Sequence, residues 1–293
     1  MDAVNHNTLD LPAEQRESAF LRMLELLPLT ARRRPAFKSR RRQREFDIIV
    51  RAVRDLLATR AHASRILEFG CGPAGGAPLL QSIGDLVESD VSQHPSLRLP
   101  RGVPFVVCGI EDAPFPSGTF DLIVSNHVIE HVDDLTAGLQ EAARIARPDA
   151  LFAFAVPTSV WLLLTVPGQL WRKLENVMQR LWGRQQSETL SAAVSPRHEA
   201  SGRLARILGK FTLHGHGRWP QFLPCLSAFR VARWRKLLRD HGFEIIREER
   251  VLCYGSSHWP VIPTNRALAH LGLDSSHLFI LRRAAALDHP TAE

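Results

Sequence analysis

The sequence predicts an α/β fold, a doubly wound and mostly parallel sheet carrying an N-terminal helical cap and a helical insert. Three observations lead there. Short apolar runs alternate with helical patterns between residues 63 and 157, which places helices on both faces of a parallel sheet. A glycine-rich turn at residues 70–76 joins the first of those runs to a helix. The 293 residues are 45% hydrophobic, enough for one large core with an added lobe.

In chain order, residues 1–12 carry no apolar period and are read as disordered. The cap spans residues 13–62, opening with an amphipathic helix at 13–27 that presents Phe20, Leu21, Leu24 and Leu27. The arginine-rich stretch from Arg32 to Arg44 contains Pro35 and is too charged for a core, so it reads as a solvated connection. A contact with nucleic acid or an anionic membrane surface is the sharper alternative. A helix over 45–60 follows, with Phe46, Ile49, Val50, Val53, Leu56 and Leu57 on one face.

Strands are expected at 65–69, 85–90, 103–107, 120–125 and 150–156. Asp133 or Asp134 caps a helix that turns Leu135, Leu139, Ala142 and Ile145 inward and stops before Pro148. The insert, 158–226, is too long for a bare loop and should hold helices at 160–182 and 196–208 as a lid. The apolar run from Leu151 to Trp171 has the length of a membrane span. Its first third is needed as a strand, however, and Pro157, Pro167 and Gly168 interrupt the rest. The core resumes over 227–285 with a helix at 229–241 and strands at 243–252 and 277–283, leaving a tail at 286–293. The segment 254–274 between those strands folds back over the site.

Lys and Arg exceed Asp and Glu by 37 to 30, a net charge of +7 that is compatible with anionic partners or with an arginine-rich proteome. The cysteines at 71, 108, 225 and 253 form no C-x-x-C pair, which argues against a disulfide framework or structural zinc and for a reducing, cytoplasmic setting. The first residues are polar and the first apolar run is amphipathic, so no secretory signal is expected, and peripheral membrane contact stays open.

Gly70, Gly72 and Gly75 satisfy G-x-G-x-x-G, with Asp90 about 20 residues on, as a dinucleotide fingerprint asks. Glu68 argues otherwise. A carboxylate there repels a pyrophosphate and attracts the ammonium of an amino acid, which leans towards S-adenosylmethionine.

Four signatures then fall in order: Leu67-Glu68-Phe69-Gly70-Cys71-Gly72, Glu88-Ser89-Asp90-Val91-Ser92, the run from Ile110 to Val124, and Val128-Ile129-Glu130-His131-Val132. Together they resemble class I S-adenosylmethionine-dependent methyltransferases, in particular the small-molecule and quinone-biosynthesis group. The resemblance implies a Rossmann-like sheet whose last strand is inserted antiparallel. It implies that Glu68, Gly70, Cys71 and Gly72 hold the methionine end, and that Asp90, with Val91 beside it, takes the ribose hydroxyls, Glu88 being the register alternative. Ile110 and Glu111 would meet the adenine, since Gly109 stands where members usually have an acid. Asn126 would lend its backbone.

Methyl transfer is an in-line displacement, and a base is needed only for a protonated nucleophile. His127, His131, His214 and His216 are the candidate bases. Glu130 and His131 resemble an acid–histidine pair that lines the site in many members and joins a metal site in some quinone methyltransferases. The sequence identifies no further ligands, so no metal is expected. Trp161, Trp171, Trp182, Trp219 and Phe222 suit a small hydrophobic or aromatic acceptor, and equally a lid core. No obligate protein partner is evident. An RNA or protein methyltransferase using the arginine run, and a non-catalytic S-adenosylmethionine-binding protein, are the alternatives.

Overall fold

The computed structural model describes residues 34–59, 62–188, 213–255 and 265–284. The expected helices at 13–27 and 196–208, the disordered start and the tail at 286–293 lie outside the described residues. Elements run in the order α1 (Arg34–Ala58), β1 (Arg65–Phe69), α2 (Ala77–Gln81), β2 (Asp85–Asp90), β3 (Phe105–Val107), β4 (Phe120–Asn126), a 3-10 turn (Ile129–His131), α3 (Leu135–Ile145) and β5 (Ala146–Pro157). Then come α4 (Ser159–Glu188), β6 (His214–His216), β7 (Trp219–Gln221), α5 (Phe222–Ala228), α6 (Val231–Asp240), β8 (Phe243–Leu252), α7 (Arg266–Leu268) and β9 (Ser276–Arg283).

The main sheet has the order β3-β2-β1-β4-β5-β9-β8. Strands β3 to β5 pair in parallel, and β9 enters antiparallel between β5 and β8, as the resemblance implied. Every residue of the central strand β4 is buried, as a strand covered on both faces requires. Alternate side chains divide the core between the two faces. Leu67, Phe69, Ile123, Phe152 and Phe154 pack with α3 and α6. Ile66, Leu122, Val124, Ala153 and Ala155 pack with α1 and α2.

Asp134, rather than Asp133, caps α3, its carboxylate accepting from Ala137 N at 3.0 Å. Strand β3 begins two residues later than expected because Pro104 has no N–H to give; only its carbonyl joins the ladder, accepting from Glu88 N. Strand β5 begins earlier, at Ala146, which pairs with Phe120 before a bulge. Helix α4 continues through Pro167, where the sequence suggested an interruption. No described helix is long and apolar enough to cross a membrane.

The largest correction concerns the cap. The arginine run is not a connection: α1 starts at Arg34, with Pro35 in its first turn, where a missing N–H is tolerated. Phe46, Ile49, Val50, Val53 and Leu57 are buried as expected, but Leu56 is 36% exposed. The buried stripe extends upstream through Glu45, and that extension carries Arg41 and Arg42 to the site.

Candidate functional site

The site lies at the carboxyl ends of β1, β2 and β4, where open α/β sheets bind ligands. Glu68 and Glu88 are register partners on β1 and β2, and both are fully buried. No hydrogen bond reaches either carboxylate among the described residues. Burial pushes both carboxyls above their ordinary range; Arg42 opposes the shift at Glu68, and the charge of Glu68 adds to it at Glu88. Arg42 leans across from α1, its Nη2 donating to Gly70 O at 3.1 Å and standing 3.7 Å from Glu68 Oε1.

The glycine loop is tied down behind these groups. The amides of Gly70 and Cys71 both donate to Ser89 O, and Gly72 N donates to Asp90 Oδ2 at 2.9 Å. Gly70 has φ +72° and lies against Val128, so the loop touches the segment that follows β4. The expected cofactor residues Glu68, Gly70, Cys71, Gly72, Asp90 and Asn126 therefore converge on one edge. Asn126 is buried, and its side-chain amide has no hydrogen-bond partner among the described residues. Val91 is 73% exposed beside Asp90. Ile110 is a core residue packed on Gly138, so only its backbone can face a ligand; Glu111 is half-buried next to it.

His127 is the centre of a second cluster. It is a non-glycine residue at φ +59°, a strained backbone of the kind that concentrates at functional sites. Tyr254 Oη lies 3.0 Å from its Nε2 and Ser276 Oγ 3.1 Å. Glu45 Oε1 stands 3.5 Å from Nε2, and Glu130 Oε1 3.6 Å from Nδ1. Burial works against its charge, but the carboxylates of Glu130 and Glu45 on either side carry its pKa up to about 9. Glu45 is held down at about 2, because Arg41 and His127 outweigh burial. At neutral pH His127 is thus an imidazolium, which does not suit the base role expected of it.

His131 and His216 meet with ring centroids 4.7 Å apart, while His214 is exposed, its backbone amide bonded to Gln169. The four histidines therefore do not form one catalytic group. Sequence reasoning missed Arg41, Arg42, Glu45, Tyr254 and Ser276. For the α1 residues a signal was present: Arg42, Glu45, Ile49 and Val53 continue one helical stripe at spacings of three and four. Tyr254 and Ser276 follow no local pattern.

A profile of the methyltransferase domain matches residues 37–248. The chain belongs to that family. This bears out the resemblance to class I S-adenosylmethionine-dependent methyltransferases. The chain is 32% identical over 110 residues to a probable S-adenosylmethionine-dependent methyltransferase of Mycobacterium tuberculosis, covering 36% of this chain and 39% of the relative. It is 32% identical over 95 residues to the malonyl-[acyl-carrier protein] O-methyltransferase of Enterobacter lignolyticus, covering 31% of this chain and 38% of that one. The matches thus span about two fifths of the length of these curated relatives. Among solved structures, a Burkholderia thailandensis 1,6-didemethyltoxoflavin N1-methyltransferase with bound S-adenosylhomocysteine aligns at TM-score 0.48 and 14% identity, over 97% of this chain and 94% of that one.

The titrations of this site predict a stability profile. Glu68, Glu88 and His127 all have raised folded-state pKa values, so their contributions are present at low pH and are lost as pH rises, for His127 through about 9. The contribution of Glu45 is lost only as pH falls through about 2. The ligand-free protein should melt highest at about pH 4.5, where the contribution of Glu45 is complete and those of Glu68 and Glu88 begin to be lost, and should lose on the order of 2–8 °C by about pH 9. Glu88→Gln should flatten that alkaline decline. A melting temperature that climbs from pH 6 to 9 would contradict the assignment.

Proposed function

We propose that this protein transfers the methyl group of S-adenosylmethionine to a small acceptor with an apolar or aromatic body. The observation that carries the reading is a cavity of about 620 Å³ that begins at His127, immediately before the Val128 against which the glycine loop packs. Trp161, Leu162 and Tyr254 give it apolar walls, and Arg41, His127 and His216 give it polar ones. A methyl group delivered at the end of β4 would enter this cavity.

In this reading Glu68 receives the ammonium of the cofactor and Arg42 its carboxylate, the loop amides approach the methionine backbone, and Asp90 accepts from the ribose hydroxyls. The cofactor supplies an electrophilic methyl group on a sulfonium. The chain supplies alignment and exclusion of water. His127, charged and wedged between Glu45 and Glu130, orients the acceptor rather than deprotonating it.

Calorimetric titration of the purified chain tests the cofactor half of the proposal. S-adenosylmethionine and S-adenosylhomocysteine should bind and NAD should not, and Asp90→Ala should weaken binding by about 1–3 kcal/mol. Binding of NAD in preference to both sulfur nucleosides would overturn it. The acceptor half is tested by transfer of a labelled methyl group to a panel of hydroxylated aromatic and aliphatic acids. Labelling confined to RNA or protein would replace the small acceptor with a macromolecule.

A further inference from the structure

Glu130 raises a question that the cofactor site does not answer. Its carboxylate is fully buried, and neither oxygen has a hydrogen-bond partner among the described residues. An ionised carboxylate in that state is costly unless a cation meets it. His127 Nδ1 stands at 3.6 Å, beyond hydrogen-bonding distance. Two further nitrogen donors gather on the same carboxylate, and one of them comes from the insert, outside every motif of the core. Donor atoms of Glu130, His131 and His216 all lie within 4.8 Å of one another.

His216 is brought there by a dedicated contact. The turn between β6 and β7 is stapled to the 3-10 turn: Arg218 N donates to Glu130 O at 3.2 Å, and Arg218 Nη1 reaches Val132 O at 3.3 Å. Gly217, at φ +60°, passes so close that a Cβ there would meet Glu130 O at 2.3 Å. The hairpin is therefore seated on the main chain of Glu130, and its last β6 residue faces His131. Trp161 also packs on the His216 ring, with centroids 4.8 Å apart.

We infer that Glu130, His131 and His216 bind one divalent transition-metal cation at the inner wall of the acceptor cavity. Two imidazoles and one carboxylate favour zinc, cobalt, nickel or iron over magnesium, which prefers an all-oxygen shell. Ligand distances of about 2.0–2.2 Å would set the donors about 3–3.5 Å apart, a closure of up to about 1.5 Å from their present spacing. Three protein ligands leave coordination positions open. His216 lines the acceptor cavity, so those positions are within reach of an acceptor oxygen. This role, unlike metal binding itself, rests on the proposed methyl transfer. The cation holds an acceptor hydroxyl and lowers its pKa, the proton passing to water. The oxygen lone pair then forms the bond to the methyl carbon as the carbon–sulfur bond breaks and leaves its electron pair on sulfur. The sequence led to an expectation of no metal because no spacing along the chain links His216 to Glu130 and His131.

The test uses the untagged full chain, stripped with a chelator and without cofactor or acceptor. Titration with Co²⁺, followed by visible d–d absorption, should show one equivalent bound, and Zn²⁺ should displace it. His216→Ala and His131→Ala should each weaken Zn²⁺ binding at least tenfold while leaving the circular dichroism spectrum intact; Glu130→Gln should do the same if it folds. Absence of Co²⁺ and Zn²⁺ binding in the folded wild-type chain would overturn the inference, leaving His127 alone to meet the charge of Glu130. Intense near-ultraviolet sulfur-to-cobalt absorption would also overturn it, assigning the metal to a thiolate such as Cys225, whose Sγ lies 3.3 Å from His216 N. S-adenosylmethionine affinity measured on the same samples is a separate readout, and its loss would count against the proposed function rather than against the metal.

Discussion

Gly70→Ala is expected to abolish S-adenosylmethionine binding, raising Kd by at least about 100-fold, and to destabilise the fold by about 2–4 kcal/mol. Two costs combine. The residue sits at φ +72°, which disfavours any side chain, and a Cβ there would lie 2.2 Å from Val128 Cγ2 and 3.0 Å from Cγ1. Val128 lies between β4 and the 3-10 turn, so the clash pushes the loop away from the edge it must share with His127. Gly72→Ala is the control: φ is +57°, but nothing lies within 4 Å of its added methyl, so only the backbone term of about 1–2 kcal/mol applies. Adding Val128→Ala to Gly70→Ala should recover part of the melting temperature by removing the clash, leaving the φ penalty in place. Thermal melts and cofactor calorimetry on the four proteins check the ordering. Equal effects at Gly70 and Gly72 would show that the packing against Val128 is unimportant.

Arg42→Ala should weaken S-adenosylmethionine by about 10- to 100-fold, the range for losing a charge-assisted contact in a half-buried site. Arg40→Ala, on the exposed side of the same helix, should change affinity by less than about twofold. The guanidinium of Arg42 braces Gly70 O and stands over Glu68, so its removal both frees the loop and leaves a buried carboxylate without its nearest cation. Arg42→Lys should recover part of the loss, since an ammonium restores the charge but not the fork. Tighter binding by Arg42→Ala would reverse the reading: the guanidinium would then occupy the place of the cofactor ammonium and compete with it. An unchanged affinity would return the arginine run to partners outside the site.

Much of the core was legible because its determinants are local. Glycine tolerance at positions 70 and 72, the carboxylate at the end of β1, the cap at Asp134 and the apolar periods of β1, β4 and α3 act within a few residues of where they are read. These local features also place Glu68, Gly70, Gly72 and Asp90 together at one edge of the sheet. The arginine run misled because composition marks charge as solvated, whereas Arg41 and Arg42 lie on the buried side of a helix whose stripe continues upstream of Glu45. Their aliphatic stems and planar heads make that placement possible: Arg41 lies over the Tyr254 ring at 4.4 Å, and Arg42 over Phe46 at 5.8 Å.

By itself, then, the sequence determined the sheet, the glycine loop and the buried carboxylate on β1, because short-range backbone and burial constraints leave few alternatives there. Only the tertiary structure decided the cluster around His127. Glu45 from α1, His127 after β4, Tyr254 after β8 and Ser276 on β9 meet because separate elements dock on one edge. His216 reaches Glu130 because a hairpin in the insert hydrogen-bonds to the main chain of the 3-10 turn. Contacts of that kind depend on how elements pack across long sequence separations, and no local period or spacing records them.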